Sequence, residues 1–134
     1  MEGFRSIYEH TVIFRDLDVL GHVNNSVYAT YLETGRIEYL AAIGADALGL
    51  ILAELTVSYR SPAFLREKLL IGTRVSEIKN SSFIVEAAIE EKNTGRLVAT
   101  SRAVIVHYDY AEGRSKPLPQ EWREKIAAFE GRSF

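Results

Sequence analysis

The spacing of hydrophobic positions changes several times along the chain, and each change marks an element. From Ile7 to Phe14 the residues are rich in β-branched and aromatic types. Tyr8, His10, Val12 and Phe14 share one face, and Ile7, Thr11 and Ile13 the other. That alternation predicts a strand. From Ser26 to about Ile43 the period lengthens. Val27, Tyr28, Tyr31, Leu32, Gly35, Tyr39 and Ala42 fall near i, i+3, i+4 and i+7 spacing, which predicts a helix. Asn24 or Asn25 is a natural N-cap, and Gly44 a natural stop. Ile37, Leu40 and Ala41 widen the apolar surface beyond one stripe. The helix is therefore expected to lie centrally, wrapped by other structure.

Strand-like patterning then returns in four stretches: Leu52–Arg60, Leu69–Ile78, Phe83–Glu91 and Leu97–Tyr108. Lys92–Gly95, "KNTG", reads as a hairpin turn in which Gly95 supplies a positive φ. "PLPQEW" at Pro117–Trp122 opens a short C-terminal helix running to about Glu130. The predicted order is a strand, a long helix, four strands in meander-like succession and a short helix. This is an α+β chain with one domain over residues 1–134. Strands that are apolar on both faces need cover on both. The long helix covers one face, leaving the other to the terminal helix or a second subunit.

With 47% hydrophobic and 25% charged residues among 134, the chain can bury the core of one globular domain. A formal net charge of -2 lacks the basic footprint that nucleic-acid binding requires. The absence of cysteine removes disulfides, zinc–thiolate sites and thiol nucleophiles. The opening "MEGFRSIYEH" does not read as a secretory signal, and no apolar run approaches the roughly 18 residues of a membrane span. A cytoplasmic protein with no membrane partner is expected. The glycine motifs that cradle phosphate are missing, as is the serine-hydrolase GxSxG elbow. His10, His22 and His107 lack the paired spacing of a local metal motif, so no metal or bound cofactor is expected.

The chemistry gathers in "DLDVLGHVNN", Asp16 to Asn25, between the first strand and the long helix. Asp18 has two readings. It is either a turn carboxylate accepting a backbone N–H or a reactive carboxylate facing the start of the helix. Unpaired N–H groups and the positive dipole end collect there, and such an end can hold an oxyanion. A carboxylate beside an oxyanion site suffices to hydrolyse a thioester, because a thiolate of pKa about 8.5 leaves with little acid help. In that reading Asn25 contributes its backbone N–H while Asn24 or Asn25 also caps the helix. Asp16 reads as a solvated turn carboxylate and Gly21 as a backbone-shaping residue. His22 contacts substrate or steadies the loop. Glu33 and Arg36 read as a solvated or inter-subunit polar face. Arg60, Lys68 and Arg102 are the basic residues considered for an anionic ligand.

The stretch Phe14–Leu40, "FRDLDVLGHVNNSVYATYLETGRIEYL", resembles the signature of hotdog-fold acyl-CoA thioesterases of the 4-hydroxybenzoyl-CoA thioesterase type. The shared pattern is D-x-D-x-x-G-H-V-N-N, then Y-x-x-Y-x-E-x-x-R. "VSYRSPAF" at Val57–Phe64 is similar to that family's next strand. The resemblance implies a curved antiparallel sheet around a long central helix, and a homodimer or dimer of dimers with active sites at subunit interfaces. It implies an acyl-CoA substrate, Asp18 as catalytic carboxylate and the Asn25 N–H as carbonyl activator. Gly21, His22, Asn24 and Arg60 are the expected substrate-side residues. Val19-Leu20-Gly21 stands where the aromatic-substrate subgroup has Pro-Ala-Gly, so the resemblance points to the fatty acyl-CoA branch. Two rivals share the fold. One is a non-catalytic acyl-thioester binding module; the other is a hydratase or dehydratase using a histidine with a carboxylate.

Overall fold

The computed structural model describes residues 1–134. Its elements are β1 (Ser6–Thr11), α1 (Val27–Ala42), β2 (Leu50–Tyr59), β3 (Lys68–Ile78), β4 (Ser82–Glu91), β5 (Leu97–Asp109), β6 (Arg114–Ser115) and α2 (Gln120–Glu130). The strands form one antiparallel sheet in the order β1-β3-β4-β5-β2, with the short β6 on β5. With α1 packed on it, this is the hotdog architecture. No helix is long and apolar enough to cross a membrane.

Three features depart from the sequence reading. First, only β3, β4 and β5 run as a meander. β2 pairs with β5, from Leu50 opposite His107 to Tyr59 opposite Ala99. α1 stands between β1 and β2 in the chain and carries it from one edge of the sheet to the other. Second, β1 stops at Thr11, and Phe14–Asp16 forms a 3-10 turn. The Asp16 carboxylate accepts the Ile13 N–H at 3.1 Å, while the Asp16 N–H donates to the Ile13 carbonyl at 3.0 Å. This local closure turns the chain out of the strand and leaves Phe14 81% exposed, away from Tyr8, His10 and Val12. Third, α1 is not wrapped on all sides within the chain. Tyr28, Tyr31, Leu32, Gly35, Tyr39 and Leu40 are buried, whereas Thr30, Glu33, Ile37 and Glu38 on other sides are exposed.

Gly35 explains how closely α1 approaches the sheet. A Cβ there would lie 2.7 Å from Thr73 Oγ1 and 2.9 Å from Ile71 Cγ2 on β3. Only a glycine lets the helix backbone come this near. The pairing register slips at Leu52/Glu54, Val75/Glu77 and Ile89/Glu90. Extra residues of this kind bend strands and increase their twist, which curves the sheet toward α1. Two buried groups result. One joins Val12, Val23, Tyr28, Tyr31, Leu32 and Ile71 near the Asp16–Asn25 loop. The other joins Tyr39, Leu40, Val75, Phe83, Leu118 and Ile126 under α2. α2 is fastened through Glu130, whose Oε2 accepts the Tyr39 hydroxyl at 2.8 Å and the Val75 N–H at 2.9 Å.

Candidate active site

The loop between the 3-10 turn and α1 is a tight reversal. Leu17 and Val23 form an antiparallel bridge. The Asp18 N–H donates to the His22 carbonyl at 3.0 Å, and the Gly21 N–H to the Asp18 carbonyl at 3.1 Å. Gly21 sits at φ +85°, a conformation that favours glycine. Asp18 Oδ1 accepts the Leu20 N–H at 2.8 Å, so it does play the role of a turn carboxylate. Its other oxygen, Oδ2, carries no hydrogen bond and lies 4.0 Å from His22 Nδ1. The Asp18 side chain keeps 24% of its surface exposed. One carboxylate thus has an oxygen fixed by the backbone and an oxygen free.

The start of α1 is organised by Asn24. Its Oδ1 accepts both the N–H and the hydroxyl of Ser26, at 3.0 and 2.9 Å, and its carbonyl accepts the Val27 N–H at 2.9 Å. Asn24 therefore does the capping, although Ser26 is the residue that flanks the first helical turn. With these groups satisfied, the Asn25 N–H is left with no acceptor in the chain. The Asn25 carbonyl accepts the Tyr59 hydroxyl at 3.1 Å, which ties the helix start to the end of β2.

Asp16 corrects the sequence reading. It is not solvated: its side chain is only 13% exposed. Oδ2 meets His10 Nε2 at 2.9 Å and accepts the Tyr31 hydroxyl at 2.7 Å as well as the Ile13 N–H. Burial opposes ionisation of this carboxyl, but the hydrogen bonds from His10, Tyr31 and Ile13 outweigh it and hold the pKa below the usual value. Burial, with Asp16 beside it, pushes the Tyr31 phenol far up, so Tyr31 stays a neutral donor. The Asp16 carbonyl in turn accepts the Asn24 N–H at 2.9 Å. The network thus reaches the backbone one residue before Asn25.

A groove of about 220 Å³ opens beside this loop, lined by His22, Asn25, Tyr28, Tyr59 and Arg60. Three expected residues, His22, Asn25 and Arg60, meet there. Asp18 adjoins the groove through His22, while Gly21 and Asn24 stand behind it as turn and cap. Of the basic residues considered, Lys68 and Arg102 are elsewhere; Arg102 lies 4.0 Å from Glu54. Tyr28 and Tyr59 were not singled out by sequence. Tyr28 followed core spacing and is indeed buried, yet its hydroxyl accepts the Ala63 N–H at 3.3 Å behind the groove. Tyr59 looked like an ordinary strand aromatic. No group of three or more His, Asp or Glu side chains is placed to hold a metal ion.

Comparison with known proteins gives the family. A family model described as the thioesterase-like superfamily matches residues 12–126. The long-chain acyl-CoA thioesterase FadM of Escherichia coli K12 is 28% identical over 116 residues, 82% of this chain and 88% of FadM. The acyl-CoA thioester hydrolase YbgC of E. coli O6:H1 is 25% identical, covering 81% of this chain and 86% of YbgC. A thioesterase of Thermus thermophilus, solved with coenzyme A and zinc, superposes with a TM-score of 0.92 at 37% identity, covering 100% of both chains. With its hotdog sheet and the loop that precedes its long helix, the chain belongs to the thioesterase-like superfamily.

Proposed function

We propose that this protein hydrolyses acyl-CoA thioesters to a carboxylic acid and free CoA, with one domain over residues 1–134 carrying the reaction. The observation that carries this reading is the pair of unsatisfied groups on one short segment. Asp18 Oδ2 has no hydrogen bond, and the Asn25 N–H at the helix start has no acceptor. The thioester carbonyl accepts the Asn25 N–H, where the positive end of the α1 dipole adds to it. Charge grows on that oxygen as the carbonyl carbon is attacked. Asp18 either attacks the carbon, expelling CoA thiolate and leaving a mixed anhydride that water cleaves, or removes a proton from the attacking water. Losing one oxyanion donor of this kind costs on the order of 2.7–4 kcal/mol of barrier.

The names of FadM and YbgC support this choice of substrate, and the coenzyme A in the Thermus structure supports a CoA carrier. Arg60 in the groove offers a positive charge to the CoA phosphates. The working unit in this reading is a homodimer joined through β2. That strand ends the sheet with no neighbour on its outer side and exposes Leu52 at 45% and Tyr59 at 50%. A cysteine-free chain suits the reducing cytoplasm.

The test is free-thiol release from short, medium, long-chain and aromatic acyl-CoAs by wild type and Asp18→Asn. The expected result is turnover by wild type and a loss of about a hundredfold or more in kcat for the variant. Equal rates would remove Asp18 from the mechanism. Binding without any thiol release would make the protein an acyl-thioester binding module. The approach of His22 to Asp18 also suits the acid–base pair of a hydratase. That reading predicts an altered product with its thioester whole.

A further inference from the structure

One wall of the groove, Arg60 to Pro62, has left the sheet. The last ladder pair of β2 is Tyr59 opposite Ala99, and the Arg60 and Ser61 N–H groups share the single carbonyl of Val98, at 2.8 and 3.2 Å. A side chain stands in for the missing strand. Arg96, one residue before β5, donates from Nε to Ser61 Oγ at 3.2 Å and from Nη2 to the Pro62 carbonyl at 3.0 Å. Its fork also grips the Glu67 carboxylate, Nη1 on Oε2 at 3.1 Å and Nη2 on Oε1 at 2.8 Å. Four of the five guanidinium N–H donors are thereby engaged. Glu67 Oε1 accepts the Phe64 N–H as well, at 2.7 Å, which closes the loop into a turn. The loop is bound in turn to the opposite wall. The Val23 N–H donates to the Ala63 carbonyl at 2.9 Å, and His22 bridges to Phe64. Arg60 itself is exposed where it lines the groove, whereas the charge of Arg96 is matched by Glu67.

We propose that Arg96 is a positioning residue for the CoA end of the substrate: without touching the substrate, it holds the Arg60–Pro62 wall so that Arg60 meets the CoA phosphates. The inference deepens, and rests on, the reading of the groove as an acyl-CoA site. The task needs a planar fork. A lysine keeps the charge beside Glu67, but its single ammonium cannot grip the carboxylate side-on while also reaching Ser61 and Pro62. Released from those bonds, the wall keeps only the shared Val98 carbonyl and the Ser61 hydroxyl bond to the Leu97 carbonyl, 2.7 Å long. Arg60 then samples more positions, and fixing it on a phosphate costs more entropy at the moment of binding. The reacting end is held by other bonds. Asn25 is fixed by the Tyr59 hydroxyl on its carbonyl and by the Asn24 cap that follows the loop. The loss on breaking the clamp therefore falls on CoA recognition and not on the attack at the carbonyl.

Two pairs of probes with and without phosphates test this. Calorimetry compares CoA with pantetheine, and thiol release compares one acyl chain carried on CoA with the same chain on N-acetylcysteamine. Wild type is expected to favour the phosphate-bearing member of each pair. In Arg96→Lys that preference falls about tenfold, the size of a lost hydrogen bond to a charged group, and in turnover the loss appears in KM for the CoA ester. Arg60→Ala loses the same preference, and the double variant loses little more, because the two residues act in series. Circular dichroism checks folding, and Glu67→Gln, which weakens the clamp from its other side, gives the same shift if Arg96→Lys does not fold. Wild type binding CoA no better than pantetheine would overturn the proposal. So would equal losses on both members of a pair in Arg96→Lys, which would make Arg96 a general brace of the fold, or additive losses from Arg60 and Arg96. Selective loss of CoA binding in Arg96→Lys, with no thiol release from any ester by wild type, would support the clamp and reject the hydrolase reading.

Discussion

Two aspartates stand two residues apart and do opposite things. Asp16 gives one oxygen to three donors and is nearly buried; Asp18 gives one oxygen to the backbone and keeps the other open. Nothing in "DLD" distinguishes them, because the difference comes from His10, six residues earlier, and Tyr31, fifteen residues later. Tyr31 was legible as a core position but not as a donor to Asp16. The Asp16→Asn variant is expected to lose on the order of 1–3 kcal/mol of stability, since an amide cannot replace a carboxylate that accepts three hydrogen bonds. It should also lower kcat, because the side-chain bonds to His10, Tyr31 and Ile13 fix the position of the Asp16 main-chain carbonyl, which holds the Asn24 N–H beside Asn25. The folded-state pKa of Asp16 is depressed, so its stabilisation is full above the unfolded value of about 3.9. It is lost as pH falls through the folded value. Urea titrations from pH 6 downward should show wild type weakening below about pH 4, and Asp16→Asn should lack that share of the decline.

Among the elements, α1 was the easiest to read and the easiest to misjudge. Its bounds followed from periodicity and from Gly44, which ends it at φ +68°. Its burial did not, because apolar residues such as Ile37 face outward in the single chain. The place of β2 was also hidden: alternation announces a strand but carries no record of its neighbour, and here the neighbour is β5, not β3. Gly35 was counted as a small member of the helical stripe, whereas its function is to admit β3. Gly35→Ala gains up to about 1 kcal/mol of helix propensity. It also forces a methyl against Thr73 and Ile71, and overpacking of this kind typically costs about 1–3 kcal/mol. Denaturant midpoints should therefore fall, the reverse of what an exposed helical glycine would give.

For the whole molecule, the hotdog architecture was legible from one loop signature and the order of elements. The dimer proposed above was expected from the resemblance and from strands that need cover on both faces. A ten-residue edge strand with exposed Leu52 is a surface that proteins usually protect with charge or cover with a partner. Leu52→Lys should shift the mass measured by light scattering from dimer to monomer, and thiol release should fall with it. A monomer with full activity would place the entire site within one chain.

The order of the strands also sets how the chain reaches this state. β3, β4 and β5 pair as sequence neighbours, so their hairpins close short loops and form early. β1 must find β3, with Ser6 opposite Thr73, and β2 must find β5, with Leu50 opposite His107. Each of these pairings closes a long loop, an entropic cost met before the contacts repay it. Both ends of the Asp16–Asn25 loop depend on these late pairings, one through β1 and the other through the Tyr59 bond from β2. The Asp16–Asn25 segment is therefore expected among the last parts to take shape during folding, and a chain with its central meander complete would still lack the site proposed above.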